Sequence, residues 1–124
     1  MIHTNESIAL LALHIGKLTI QRDYAQAIEA ANTAIIAFPD CANIYAQRAT
    51  LFVLVERDDK ARLDFDTMVQ LQPTAARYLR RAGFFMQTGD YLEAMQDCYE
   101  ASRLEPYNHH AEVSLEAAQK LMEL

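Results

Sequence analysis

Glycine and proline are scarce, three of each in 124 residues, and tryptophan is absent. Twenty alanines stand against those six residues. Alanine has the best helix propensity and glycine and proline the worst, so the composition predicts helices and excludes a turn-rich β-sandwich. Cysteine is nearly as rare. Cys41 and Cys98 lie far apart with no Cys-x-x-Cys, which leaves neither a disulfide framework nor a zinc site and points to a reduced, cytoplasmic setting. Positive charge is short as well, 11 Lys and Arg against 17 Asp and Glu, for a net charge of −6. That balance argues against a nucleic-acid partner, whose phosphates need Lys and Arg. No apolar run is long enough to cross a bilayer. Ile8 to Ile20 is interrupted by His14 and Lys17 and preceded by Glu6 without Lys or Arg, so neither a membrane span nor a signal-peptide core is expected. The 52% apolar content is instead enough for one folded domain over 1–124, which at this size hides roughly two thirds of its unfolded surface.

The scarce prolines are spaced regularly. Pro39, Pro73 and Pro106 are 34 and 33 residues apart, and such a step is the mark of a repeat. Ala27, Ala61 and Ala94 keep it, as do Tyr45 and Tyr78, Phe52 and Phe85, and Arg48-Ala49 and Arg81-Ala82. The chain therefore divides into units of about 8–41, 42–74 and 75–106, with a tail over 107–124.

Each unit reads as a helix, a tight turn and a second helix. In the third, Tyr78, Ala82, Phe85 and Met86 recur at helical spacing, Thr88-Gly89-Asp90 interrupts them, and Tyr91, Ala94, Met95, Cys98 and Ala101 resume the pattern. Helices are expected near 7–20, 24–37, 42–54, 58–70, 75–87, 91–104 and 108–122. Asp23 and Asp90 are placed to cap second helices, and the prolines to close them. Alanine at 27, 61 and 94 lets the two helices of a unit cross closely.

These units resemble tetratricopeptide repeats. The third carries Tyr78, Ala82, Phe85, Gly89-Asp90-Tyr91, Ala94, Cys98, Ala101 and Pro106. The second carries Tyr45, Ala49, Phe52, Ala61, Phe65, Met68 and Pro73, and the first, more weakly, Leu11, Ile15, Leu18, Asp23-Tyr24, Ala27, Ala31, Ala34 and Pro39. The resemblance implies an all-α, right-handed superhelix of about seven helices, three repeats followed by a capping helix. It departs from the family at His14, Arg48 and Arg81, where leucine is usual, and at Cys98, which replaces an aromatic. Arg48 and Arg81 are each followed sixteen residues later by an aspartate, Asp64 and Asp97, whereas His14 is followed by Ala30. A half-buried charge without a partner is costly, so each Arg is expected to pair with its Asp across the helix pair.

No catalytic set, cofactor site or metal site is expected. His109 and His110 are adjacent and diverge on a helix. Asp58 and Asp59 suit a helix N-terminus. Cys98 falls on the packing face, and the more exposed Cys41 has no companion base. Arg77, Arg80 and Arg81 read as one paired and two solvated cations in preference to a carboxylate-binding cluster.

What the resemblance implies about function is a groove lined by first helices that receives a segment of another protein. On this chain its lining is Ala12, Gly16 and Thr19, then Asn43, Gln47, Thr50 and Val53, then Leu79, Arg80, Gly83 and Met86. It is poor in charge and rich in small groups, which suits an apolar peptide segment. A noncatalytic adaptor is the first expectation and a secretion-type chaperone shielding a client's hydrophobic segment the second; a small-ligand or enzymatic cleft is remote. The subclass that grips heat-shock chaperone tails uses five side chains whose places here hold Ala12, Gly16, Gln47, Ala76 and Arg80. Only Arg80 matches, so such tails are not expected as ligands. The C-terminal helix or a second copy of the chain, as a homodimer, stands as the alternative occupant of the groove.

Overall fold

The computed structural model describes residues 4–124, and among them every regular element is helical. The helices are α1 (Thr4–Ile20), α2 (Tyr24–Ala37), α3 (Ala42–Leu54), α4 (Asp58–Leu71), α5 (Ala75–Thr88), α6 (Tyr91–Leu104) and α7 (His109–Met122). They fall where the periodicity places them, with α1 starting three residues early. Each second helix stops two residues before its proline, α2 before Pro39, α4 before Pro73 and α6 before Pro106. Proline pushes the residue ahead of it out of helical geometry, and that terminates each pair. No described helix is long and apolar enough to cross a membrane.

The turn inside each helix pair is one motif built three times. Arg22, Glu56 and Gly89 take positive φ, 62°, 61° and 83°. The amide of each next residue donates to a carbonyl five residues back: Asp23 to Leu18, Arg57 to Phe52 and Asp90 to Phe85. These are the paired bonds that close a helix over a left-handed residue. Only the third copy uses glycine, which adopts this conformation without a Cβ penalty. The expected caps differ in detail. Asp23 accepts from the Gln26 amide at 3.3 Å. Asp90 makes no such bond, because its carboxylate instead accepts the Thr88 hydroxyl at 2.6 Å.

The chain divides into two compact units, one running to Leu71 and the other from Gln72. In the first, α1 packs on α2 and α3, α2 on α3, and α3 on α4. Ile15, Ala27, Ala31, Ala34, Ile44 and Leu51 form its core, with Leu11, Leu18, Tyr24 and Ile28 against it. In the second, α5 packs on α6 and α7, and α6 on α7. Ala82, Ala94, Cys98, Ala101, Ala111 and Ala118 are there wholly buried. Ala27, Ala61 and Ala94 are each 0% exposed, as the close crossing requires.

Both expected ion pairs form, each within its unit. Arg48 grips Asp64 with Nε and a terminal nitrogen at 2.8 Å each, and Arg81 grips Asp97 at 2.9 and 2.7 Å. The aspartates are 3% exposed. Hydrogen bonding to Asp64 raises the pKa of Arg48 further above its ordinary value, against the opposing effect of burial. Each guanidinium also lies over two rings, Arg48 over Tyr45 and Phe52 and Arg81 over Tyr78 and Phe85, at 5.6–5.9 Å from the centroids. A further bond ties Arg48 to Asn32 of α2 at 2.9 Å, so this one side chain joins α2, α3 and α4.

Two outcomes are expected in denaturant unfolding. Arg48→Leu alone leaves Asp64 buried without its cation and costs about 3 kcal/mol, and adding Asp64→Ala returns part of that loss; simple addition of the two single effects would show that the residues are not coupled. Gly89→Ala places a Cβ at positive φ and loses about 1 kcal/mol, whereas Glu56→Gly relieves the same strain in the second turn and costs far less or stabilises.

Candidate binding surface and similarity to known folds

Helical periodicity gives each first helix one face turned to its partner and a neighbouring face free to meet something else. In the first unit, Ala12, Gly16 and Thr19 of α1 are half-buried, as are Gln47, Thr50 and Val53 of α3, while Asn43 is exposed. Gln47 holds the two helices in register, its Nε2 donating to the Ala12 carbonyl at 2.8 Å. A methyl added at Gly16 would lie 3.9 Å from that nitrogen, so glycine here keeps the surface low without being required by the backbone. Thr19 and Thr50 turn their hydroxyls back onto their own helix, to the carbonyls of Ile15 at 2.8 Å and Ala46 at 3.0 Å. They therefore present mainly their methyl groups. Gln47 Oε1 is the exception. It is buried with no hydrogen-bond partner among the described residues.

In the second unit, α5 carries Leu79, Arg80, Gly83 and Met86. Gly83 is exposed and has open space around it, and Met86 is half-buried. Leu79 departs from the expectation of an accessible contact. It is only 7% exposed, because it falls on the side of α5 that carries the core residues Ala75 and Ala82 and is claimed by packing. Arg80 borders a shallow depression of about 400 Å³ whose far side is Glu105, Asn108 and His110, at the start of α7. Partial burial, and then repulsion from Arg77, lower its pKa from the ordinary arginine value. The C-terminal segment thus flanks the α5 surface.

The remaining chemistry-bearing residues are accounted for locally. His109 and His110 are exposed in the first turn of α7, where His109 Nδ1 lies 3.9 Å from Glu112. Asp58 and Asp59 occupy the first turn of α4, Asp59 paired with Arg57 at 3.3 Å. Cys41 is half-buried beside Phe38 and Pro39, and Cys98 is fully buried. The aromatic sandwich around each arginine is the feature that reading the sequence missed. Its signal was present, since each Arg has Tyr three residues before it and Phe four after, both on its own helix face.

No family model matches the sequence, and no curated protein matches it. Solved structures do. The chain superposes with a TM-score of 0.80 on the first TPR of Spaghetti (RPAP3) bound to an HSP90 peptide, at 22% identity and 94% coverage of both chains. The fold is that of a tetratricopeptide-repeat domain. A tetratricopeptide repeat protein from Parabacteroides merdae gives 0.84 at 20% identity, over 94% of this chain and 46% of that one. The second TPR domain of human RPAP3, in complex with an HSP70 peptide, gives 0.74 at 23% identity over 90% and 98%.

The two thiols of the chain are expected to differ. Burial, and then the adjacent Asp97 charge, push the Cys98 thiol up to about 11. Its folded-state pKa thus exceeds that of the unfolded chain, so its contribution to stability is complete below the ordinary thiol value near 8.5 and is lost as pH rises from there toward 11. With a thiol reagent at about pH 8, Cys98 is silent until the protein is denatured. A prompt signal from native protein comes from Cys41 and disappears in Cys41→Ser; a prompt signal persisting in that variant would show that Cys98 is accessible.

Proposed function

We propose that residues 1–124 form one noncatalytic domain, repeats 8–41, 42–74 and 75–106 with a capping helix, that binds a peptide segment of another protein in a cytoplasmic setting. The observation that carries this reading is the character of the first-helix surfaces. In the first unit, Ala12, Gly16, Thr19, Thr50 and Val53 present methyl groups and a glycine; in the second, α5 presents Gly83 and the Met86 thioether. An extended or helical segment gains by close backbone approach to such a surface, and Met86 adapts to its side chains. Shielding a client's hydrophobic segment, as a secretion-type chaperone does, uses the same surface and is the second reading.

Two of the similar folds were solved with heat-shock peptides, SRMEEVD and SGPTIEEVD. Likeness of fold therefore gives no support to excluding such tails. The exclusion rests on the side chains alone. Ala12, Gly16, Gln47 and Ala76 provide no cation for a terminal carboxylate, which leaves Arg80.

Affinity capture with wild-type and variant chains tests the reading. Val53→Glu and Met86→Glu are expected to lose the captured partner with the melting temperature nearly unchanged, while Glu29→Lys on α2 loses nothing. Leu79 is unsuited to this test because its burial makes Leu79→Glu a probe of folding. Titration with the peptide SRMEEVD is expected to give no saturable binding; tight binding would restore the chaperone-tail reading. Retention of the partner by both groove variants would place the site elsewhere.

A further inference from the structure

The outer face of α1 adjoins the proposed groove, and the hollow beside it includes the groove residues Ala12 and Gly16. Leu10, Leu13 and Ile20 are 56, 70 and 85% exposed. With Lys17 they recur at steps of three, four and three along the helix, the spacing of a seam that packs against another helix. Glu6, also exposed, continues the stripe toward the N-terminus. Beside the stripe, Leu13, Gly16, Lys17 and Ile20 border an apolar hollow of about 500 Å³. Exposed leucine or isoleucine singly needs no explanation, but three in register on one helix face mark a contact surface.

The charges on that stripe identify its occupant. Leu10 and Leu13 lie at equal distances on either side of the point between Leu11 and Ala12, and so do Glu6 and Lys17. An antiparallel copy of α1 centred there sets Leu10 of one chain against Leu13 of the other, twice, and Glu6 against Lys17, twice. A two-fold contact demands this kind of self-complementarity. A parallel copy would face Glu6 with Glu6 and Lys17 with Lys17. Neither residue makes an ion pair or side-chain hydrogen bond within the described chain, so both are available. We infer that the outer face of α1 is the contact surface for a second copy of this chain, held by an antiparallel α1–α1 pair with Glu6–Lys17 bridges at both ends. One helix pair is a small interface, so the dimer is weak. It does not rest on the peptide-binding reading, since its contact residues Glu6, Leu10, Leu13 and Lys17 are outside the groove set and only the bordering Ala12 and Gly16 are shared.

Sedimentation equilibrium of the full chain over a range of concentrations tests it. Wild type is expected to pass from monomer to dimer. Leu13→Glu is expected to remain monomeric, with an unchanged helical circular-dichroism signal because Leu13 is exposed; Leu13→Ala, which adds no charge, weakens association at least several-fold. Glu6→Lys and Lys17→Glu each weaken association about five- to tenfold, and the double variant Glu6→Lys/Lys17→Glu recovers it, since exchanging the charges restores both bridges. Met86→Glu dimerises as wild type does. A wild-type chain that stays monomeric throughout overturns the inference. So does a dimer indifferent to Leu13→Glu, or a double variant no better than the single ones, because either result assigns dimerisation to another surface.

Discussion

Two carboxylates placed almost out of reach of water set the terms for the helix pairs α3–α4 and α5–α6. Asp64 and Asp97 are tolerable there only because an arginine from the facing helix meets each with two parallel hydrogen bonds. Such a pair adds little net stability, since desolvation of both ions offsets their attraction, but removing one member is severe. Its effect is to allow one register between the two helices. The flanking rings strengthen that choice. Tyr45 and Phe52, or Tyr78 and Phe85, hold the guanidinium plane from its own helix, while the Tyr45 hydroxyl donates to the Pro39 carbonyl at 2.9 Å and fixes the start of α3.

The first helix pair lacks this device, and the consequences are visible. His14 is exposed and Ala30 half-buried where the other pairs have Arg and Asp. The pair is held instead by an aliphatic core around Ile15 and the three alanines of α2, while the Gln47 bond ties α1 to α3. Without an arginine, α1 has an apolar packing side and an outer side on which Glu6 and Lys17 accompany exposed apolar residues. One side fills the core and the other carries Leu10, Leu13 and Ile20 into solvent.

Small side chains set the packing distance of paired helices and, under the proposed function, the shape of the groove by the same physics. Alanine at 27, 61 and 94 brings paired helices close, and Ala12, Gly16 and Gly83 leave low ground on the first-helix faces. A surface of this kind discriminates by shape and by a few hydrogen bonds, because it has little charge to offer.

The period of 33 to 34, the helix boundaries and the Arg–Asp pairing were legible in the amino-acid order, because proline position, apolar spacing and a coupled departure from leucine are properties of residues near one another along the chain. The repeated turn was legible only where it holds glycine. Arg22 and Glu56 adopt the same backbone because the helices they join impose it, and no local preference announces that. Tertiary structure alone decided that Leu79 is buried while Met86 stays half-open, that Asp90 bonds Thr88 and caps nothing, and that one acceptor of Gln47 is stranded. A helical wheel gives the direction in which a side chain points; what lies in that direction depends on how neighbouring helices cross, which is settled by packing of residues distant in sequence.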